Sequence, residues 1–316
     1  MPVALVGVPL LVVLAPSYYV HLAILVLIFA ILAMSLNLLM GYVGLNSFGH
    51  AAYFGVGAYT TAVLLLRAGV GFWTATAAGI LAATALGALF GALAVPARGV
   101  YFLLITMALG QVTWGLAFRW VSMTGGDNGL PGIPRPPLTL IWPLADVRGA
   151  YLFVLLVAAA TFGLVGLILS SPFGYALRGI RESETRMRTL GYPVWRYKYA
   201  AFVFSTALAG LAGVLFATYN GFVSPADLHL AVSAQAVLMV IIGGAGTLEG
   251  PIVGAAVLVL LQNLLSTLTR RWMTILGLLF VAAVLYSPEG LVGLGRRLRR
   301  PTRPVAPARP AAQWQD

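Results

Sequence analysis

Long apolar stretches, separated by short polar or glycine-rich turns, make up most of the sequence. No full charge occurs in the first 66 residues, and Arg67 is the first residue that carries one. About 20 apolar residues span a bilayer, so this stretch alone predicts several membrane helices. The pattern as a whole predicts about ten apolar segments, near residues 3–15, 20–40, 51–66, 72–95, 100–121, 150–170, 199–221, 233–247, 250–266 and 272–287.

The composition favours a membrane protein over a soluble one. Apolar residues make up 60% of the chain and charged residues 9%, whereas a soluble domain carries about 25% charged residues. The predicted fold is therefore an all-α polytopic membrane protein in which some helices are short or broken. The net charge of +11 comes from residues between the apolar segments, so it indicates topology and contact with anionic membrane lipid rather than nucleic acid.

Clusters of basic residues predict the orientation of the chain. Residues 178–198 carry six basic residues against two acids, and residues 296–309 carry six arginines and no acid. The positive-inside rule places both segments in the cytoplasm, which ten spans with both termini inside would satisfy. Residues 1–295 then form the transmembrane domain, with a cytoplasmic loop at 171–198. Residues 296–316 form a basic cytoplasmic tail, which we expect to be mobile because it has little apolar surface to bury.

A first glycine-rich interruption runs from Gly41 to His50. It indicates either a broken helix, whose freed backbone groups face protein or a water-filled path, or a tight turn at the membrane surface. In the first case Asn46, Ser47, His50 and Tyr53 line the translocation path, because their polar groups need partners other than lipid.

A second interruption contains Gly243, Gly244, Gly246, Glu249 and Gly250. Glycines so close together, followed by a proline, cannot continue a regular helix cheaply, so we predict a helix break. Glu249 buried in hydrocarbon would be a functional candidate by default. The predicted topology favours a solvated turn on the cytoplasmic side instead.

A third polar stretch lies in the predicted outer loop and begins with Thr124, Gly125, Gly126, Asp127 and Asn128. Successive glycines beside Asp and Asn build turns, and their backbone N–H groups can form an anion-binding nest. An ordinary surface turn is the other interpretation, and it is the commoner use of such residues.

Motifs for catalysis and nucleotide binding are missing from the sequence. No G-x-x-x-x-G-K-[ST] loop, H-E-x-x-H pair or G-x-S-x-G elbow occurs. With three histidines, eight acids and no cysteine, a metalloenzyme has few ligands to build from. We therefore expect neither an enzyme nor a chain with its own metal or cofactor.

Several motifs, taken in order, resemble the branched-chain amino-acid ABC-transporter permeases, and in particular their M-type subunit. They cover nearly all of residues 20–295 and comprise Ser35–Gly44, Ser47–Tyr59, Tyr101-Phe102, Thr124–Pro134, Ser171–Glu182, Leu190-Gly191, Gly243–Pro251 and Ser287–Leu291.

The resemblance implies a bacterial inner-membrane importer built from several chains. Its partners would be a homologous H-type permease, two cytoplasmic ATPases that bind ATP and Mg²⁺, and an extracytoplasmic solute-binding protein facing the loop from Thr124 to Asn128. A short helix from about Arg178 to Leu190 would couple this chain to an ATPase. The coupling residues implied by the resemblance are Gly174, Arg178, Ile180, Arg181, Glu182, Arg186 and Gly191.

Other functions compete with the transport of branched-chain or other hydrophobic amino acids. Similar permeases carry urea or short amides. A self-sufficient secondary transporter or channel, built on two broken-helix repeats, gains some support from the weak likeness of 41–59 to 241–256, but it would want acids within the membrane. An integral membrane enzyme lacks a catalytic constellation and ranks last.

Overall fold

A computed structural model provides the architecture of the chain. It describes residues 13, 15–135, 146–268, 271, 274, 275, 277, 278, 281 and 290–293. The predicted tail at 296–316, nearly all of the predicted segment at 3–15 and most of the one at 272–287 lie outside the described residues.

The described part is mostly helical. Its α-helices are α1 Ser17–Asn37, α2 His50–Arg67, α3 Phe72–Ala94, α4 Val100–Arg119, α5 Val121–Thr124, α6 Val147–Ser170, α7 Pro172–Glu182, α8 Glu184–Thr189, α9 Val194–Asn220, α10 Leu230–Gly243 and α11 Gly250–Leu268. A π-helical turn, Leu38–Val43, continues α1, and two 3₁₀ turns cover Gly126–Asn128 and Pro225–Leu228.

Six of the described helices are long and apolar enough to cross a bilayer: α1 with its π-helical turn, α3, α4, α6, α9 and α11. Helix α10 is apolar but has only 14 residues, which at 1.5 Å per residue is about 21 Å. The segments predicted between residues 20 and 266 thus appear as helices, with ends that differ by a few residues.

The segment predicted to be one helix from about Arg178 to Leu190 is instead two helices, α7 and α8, that meet at Ser183. The backbone of Ser183 is extended (φ −158°, ψ 100°), and its hydroxyl accepts a hydrogen bond from the Arg186 N–H. Ser183 therefore acts as the N-cap of α8. Helix α7 also begins six residues before the predicted start at Arg178, because Ser171 caps its N-terminus and Pro172 occupies the first turn.

Helix α1 lies at the centre of the described structure. It packs against α6, α9, α10 and α11, and its side chains from Ala30 to Asn37 are fully buried. Its residues are apolar all round, which is the pattern of a helix surrounded by protein. Helices α3 and α4, by contrast, bury a third or less of their residues, as expected for helices that have one side facing lipid or another chain.

Helices α2, α3 and α9 form a second tightly packed group. A Cβ atom added at Gly213 of α9 would overlap the Phe54 carbonyl group of α2, and one added at Gly57 would overlap the backbone of Gly210. Small residues at such crossings let membrane helices approach closely enough for extensive van der Waals contact.

A small antiparallel sheet ties the 124–135 loop to the end of α9. Strand β1, Leu130–Pro131, pairs with β2, Phe222–Val223, in the register Leu130 to Val223. The N–H groups of Gly132 and Ile133 also donate to the Gly221 carbonyl oxygen, at 3.0 and 3.1 Å.

The close approach of α2 and α9 makes a prediction about stability. Replacing Gly213→Ala should force the two helices apart and destabilise the chain by about 1–3 kcal/mol, as overpacking does in other cores. Gly163→Ala is the matched control, because Gly163 lies in helix α6 with open space around it. Thermal unfolding of the purified protein in detergent should show a lower midpoint for Gly213→Ala only. Equal midpoints for the two variants would contradict this packing.

Candidate functional site

The first glycine-rich interruption is a break between two helices. The π-helical turn ends at Gly44, whose positive φ of 81° suits glycine, and α2 begins at His50. The backbone N–H groups across the break find partners inside the protein. Phe48 donates to the Thr106 hydroxyl at 3.2 Å, and Ala51 donates to the Ser233 hydroxyl at 2.9 Å.

A chain of hydrogen bonds runs through the buried imidazole of His50. Nε2 of His50 lies 2.9 Å from Oγ of Ser205, which itself donates to the Ser35 carbonyl oxygen at 2.5 Å. Because the single Ser205 proton is used there, Nε2 carries the proton of a neutral ring. Nδ1 then accepts from the Ser47 hydroxyl, 3.2 Å away. Every polar atom of this imidazole is thus satisfied within the chain.

The structure does not bring the four predicted path residues to one surface. Ser47, His50 and Tyr53 are at most 1% exposed, and the Tyr53 ring packs edge-on against His50 and Phe202. Asn46 is exposed. In the described chain, a solute passing along the surface could touch Asn46 but not the other three.

A junction of three segments forms around the carbonyl oxygen of Gly41, and we call it the Gly41 junction. It comprises the π-helical turn 38–43, the turn 243–250 and the side chain of Arg181 from α7. The Arg181 guanidinium donates a hydrogen bond to the Gly41 carbonyl oxygen. The guanidinium carbon of Arg178, one turn earlier, lies 5.5 Å from the centre of the Tyr42 ring, within the range of a cation–π contact.

Asn37 fastens the turn 243–250 to α1. Its Nδ2 donates to the Thr247 carbonyl oxygen at 2.8 Å, and its Oδ1 accepts from the Gly246 N–H at 2.9 Å. A Cβ atom at Gly41 would overlap both Asn37 Oδ1 and Gly246 N, so this position needs glycine. Our sequence reasoning missed Asn37 as a site residue, although a single amide in a long apolar segment is a signal of such a role.

The five residues of the second interruption build the turn between α10 and α11. Gly243 ends α10, Gly250 begins α11, and Gly244 and Gly246 have positive φ angles of 115° and 80°. Glu249 is exposed on this turn. Within the described residues it therefore does not lie in the interior of an apolar helix.

Glu184, at the start of α8, is the centre of an ion-pair cluster. Its carboxylate lies 2.6 Å from Nζ of Lys198, pairs with Arg188 one turn along α8 and lies 4.0 Å from Arg98 between α3 and α4. Partial burial alone raises the pKa of Glu184, but the hydrogen bond from Lys198 and the neighbouring guanidinium charges outweigh it and hold the pKa below its usual value. Sequence reasoning counted Lys198 only as one of several basic residues.

The other predicted coupling residues divide into an inner and an outer set. Ile180 packs in a small cluster with Ala176, Met187 and Val194, and a Cβ atom at Gly174 would overlap the backbone of Leu169. On the outer side, Glu182, Arg186 and Gly191 are exposed. Three large side chains of the same region are exposed beside them, namely Tyr175, Leu190 and Tyr192.

The loop that begins at Thr124 is held in shape by hydrogen bonds among its own residues and the helix that precedes it. The Thr124 hydroxyl donates to the Ala117 carbonyl oxygen at 2.6 Å, and the Gly126 N–H lies 3.3 Å from that hydroxyl. The N–H groups of Gly125 and Gly129 donate to carbonyl oxygens of Val121 and Gly126. This use of the N–H groups favours a surface turn over an anion-binding nest, and Asp127 and Asn128 are its exposed residues.

The described helices and their contacts define an α-helical integral membrane protein. Within the described residues, no three histidine, aspartate or glutamate side chains are placed to hold a metal ion. The polar side chains in the interior instead satisfy backbone groups where helices break. This is the architecture of a polytopic membrane protein without a catalytic metal site in its described residues.

Comparisons with known proteins agree with that class. Residues 18–285 match the family described as the permease component of branched-chain amino acid transport systems. The chain belongs to this family, and it is a multi-pass permease subunit of an ABC importer of the inner membrane.

Three relatives are similar over most of the chain. The high-affinity branched-chain amino acid transport system permease protein LivM of Escherichia coli K12 is 33% identical over 299 residues, which cover 88% of this chain and 70% of the relative. A probable LivM of Methanocaldococcus jannaschii is 24% identical over 84% of this chain and 90% of its own length. LivH of Escherichia coli K12 is 23% identical over 84% of this chain and 91% of its own length. No solved structure matches the chain.

The ion pairs of Glu184 predict a pH dependence in helix α8. Because the folded-state pKa of Glu184 lies below its usual value, its stabilising contribution is complete above about pH 4.3 and is lost as the pH falls through the lowered pKa. Hydrogen exchange at the α8 amides should be faster in Glu184→Gln than in wild type near neutral pH, and the difference should vanish in acid. Glu182→Gln, an exposed neighbour outside the cluster, is the control. The same pH dependence in both variants would contradict this role.

Proposed function

We propose that this chain is one of two different permease subunits of an ATP-driven importer and forms half of the translocation path. The substrate class is branched-chain or other hydrophobic amino acids. The family of the chain and the transport systems named for its LivM relatives support that class. The likeness to LivH supports a homologous H-type permease as the second subunit.

The observation that carries the ATPase part of the proposal is the outer face of α7 and α8. Helix α7 buries Ala176, Leu177 and Ile180, whereas its other side and α8 present arginines, Glu182 and the exposed ring of Tyr175. A face this highly charged is unsuited to hydrocarbon, and aromatic and arginine side chains are enriched in protein interfaces. Two cytoplasmic ATPases docked on the permease pair would bind the ATP and Mg²⁺, and this chain binds no cofactor.

The proposed topology has ten spans with both termini in the cytoplasm. The basic residues of 178–198 then face the cytoplasm, and the loop from Thr124 to Asn128 faces an extracytoplasmic binding protein. The β1–β2 pairing supports this last assignment, because it ties the loop to the end of α9 opposite the basic residues, where Asp127 and Asn128 are exposed.

Among the predicted path residues, the geometry favours Asn46 as the one that meets the solute. Ser47 and His50 have complete sets of hydrogen-bond partners inside the chain. They are better explained as the support that holds the segment 44–49 in place than as its lining.

Two alternatives remain as outcomes of experiment. Urea or short amides are a second substrate class within the same family. A self-sufficient secondary transporter is a different class, and it needs acidic groups in the membrane to carry protons or sodium ions. None of the six long apolar helices contains an Asp or Glu, so this class gains no support.

Reconstitution tests the proposed function. Liposomes that contain both permeases and the ATPases, supplied with the binding protein, should accumulate leucine only when ATP is present. Liposomes that contain this chain alone should show no leucine flux. Urea uptake in place of leucine uptake would shift the substrate class, and flux through the chain alone would contradict the importer.

Cysteine accessibility tests the assignment of Asn46. The chain has no cysteine of its own, so an introduced thiol is the only one that this chain offers. In the assembled importer, Asn46→Cys should react with a small water-soluble methanethiosulfonate, and excess substrate should slow the reaction. Ser47→Cys is the matched control, because Ser47 is 1% exposed and should be unreactive. Equal reactivity at the two positions would count against Asn46.

A further inference from the structure

Arg181, like Arg178, is a predicted coupling residue whose side chain turns back towards the end of α1, and it alone of the two binds a backbone carbonyl group there. Its guanidinium donates to the Gly41 carbonyl oxygen. Its Cγ lies 3.3 Å from the position that a Cβ atom would occupy at Gly44, and its Nη1 lies 2.8 Å from the corresponding position at Gly246. The side chain therefore contacts both the end of the π-helical turn and the turn 243–250.

The charge of Arg181 suits the end of a helix. The last carbonyl groups of a helix have no partners within it, and the helix dipole places partial negative charge there. Gly41 lies in the π-helical turn that ends α1, so a guanidinium group from α7 satisfies one of these carbonyl groups and interacts favourably with the dipole.

The same junction holds the turn between α10 and α11. Asn37 binds both the Gly246 N–H and the Thr247 carbonyl group, so this turn is fixed to α1 immediately beside Arg181. A displacement of α7 that carries Arg181 with it must move the end of α1 and the turn 243–250 together, or break these hydrogen bonds.

We propose that Arg181 is a positioning residue that fastens the coupling helix α7 to the Gly41 junction. It transmits the movement of α7 to α1 and to the turn 243–250 instead of binding the ATPase itself. The inference rests on the proposed function, since the ATPases are the source of the movement. Glu182 and Arg186, which are exposed as Arg181 is but are not hydrogen-bonded to the Gly41 junction, are left to contact the ATPase.

Substitutions at Arg181 test the link in the assembled importer. Arg181→Gln should retain both ATPases on purification and keep basal ATP hydrolysis. It should lower the number of leucine molecules transported per ATP about tenfold. The loss of one charged hydrogen bond shifts the equilibrium between attached and detached α7 by at least about this factor. Arg181→Lys keeps the charge and one donor and should recover part of this ratio. The double variant Glu182→Ala/Arg186→Ala is the contrast, because it should lose the ATPases.

An engineered disulfide between positions 44 and 181 is a second test, because it would join α7 to the end of α1 without Arg181. The Cβ position at Gly44 lies 3.8 Å from the Cβ atom of Arg181, which is about the Cβ separation across a disulfide. Arg181→Cys alone should behave like Arg181→Gln. In Gly44→Cys/Arg181→Cys, oxidation should restore transport per ATP and dithiothreitol should abolish it again. Gly44→Cys alone controls for the strain of a side chain at a positive φ.

Three results would overturn the proposal. They are an unchanged transport ratio in Arg181→Gln, loss of the ATPases from that variant, and failure of the oxidised disulfide to raise the ratio above that of the reduced protein. A wild-type complex that transports without ATP would instead overturn the proposed importer function, so the two failures are distinguishable.

Discussion

A backbone group freed by a break in a helix cannot be satisfied by lipid, and the arrangement of this protein follows from that constraint. At the break before α2, the hydroxyls of Thr106 and Ser233 accept the free N–H groups. At the end of α1, Arg181 binds the Gly41 carbonyl group. Each break is therefore a place where a distant part of the chain is bound, and the breaks join the helices to one another.

The two ends of the α7–α8 segment are held in different ways. Helix α7 is attached to the end of α1 through Arg181, and α8 is attached to the base of α9 through the ion pair of Glu184 and Lys198. The extended residue Ser183 lies between them. The segment thus consists of two short helices that are bound to different parts of the protein, whereas the charge pattern predicted a single helix.

The sequence was a good guide to the helices and a poor one to their contacts. Apolar runs and glycine clusters marked the helices and both interruptions, because the cost of exposing polar groups to lipid is a local property of the chain. Asn37 and Ser205 could not be paired in advance with Gly246 and His50, because their partners lie 209 and 155 residues away.

Polar residues in the first interruption were harder to assign. A polar side chain beside a helix break can line a water-filled path or satisfy the backbone, and both uses need the same residue types. Burial separates them, since Ser47 and His50 are enclosed while Asn46 is exposed. The break at Ser183 was missed for a related reason, because a serine within a basic helical segment resembles any other polar position until its capping bond is seen.

The central position of α1 has a consequence for biogenesis. Helix α1 is synthesised early, yet the helices that surround it, α6, α9, α10 and α11, all follow later in the chain. The partner of Asn37 at Gly246 lies 209 residues further on, and at 5–20 residues per second it leaves the ribosome roughly 10 to 40 s later. During that interval the amide of Asn37 must be accommodated by the insertion machinery or by lipid. A membrane helix that is made early in synthesis is thus among the last to reach its native surroundings.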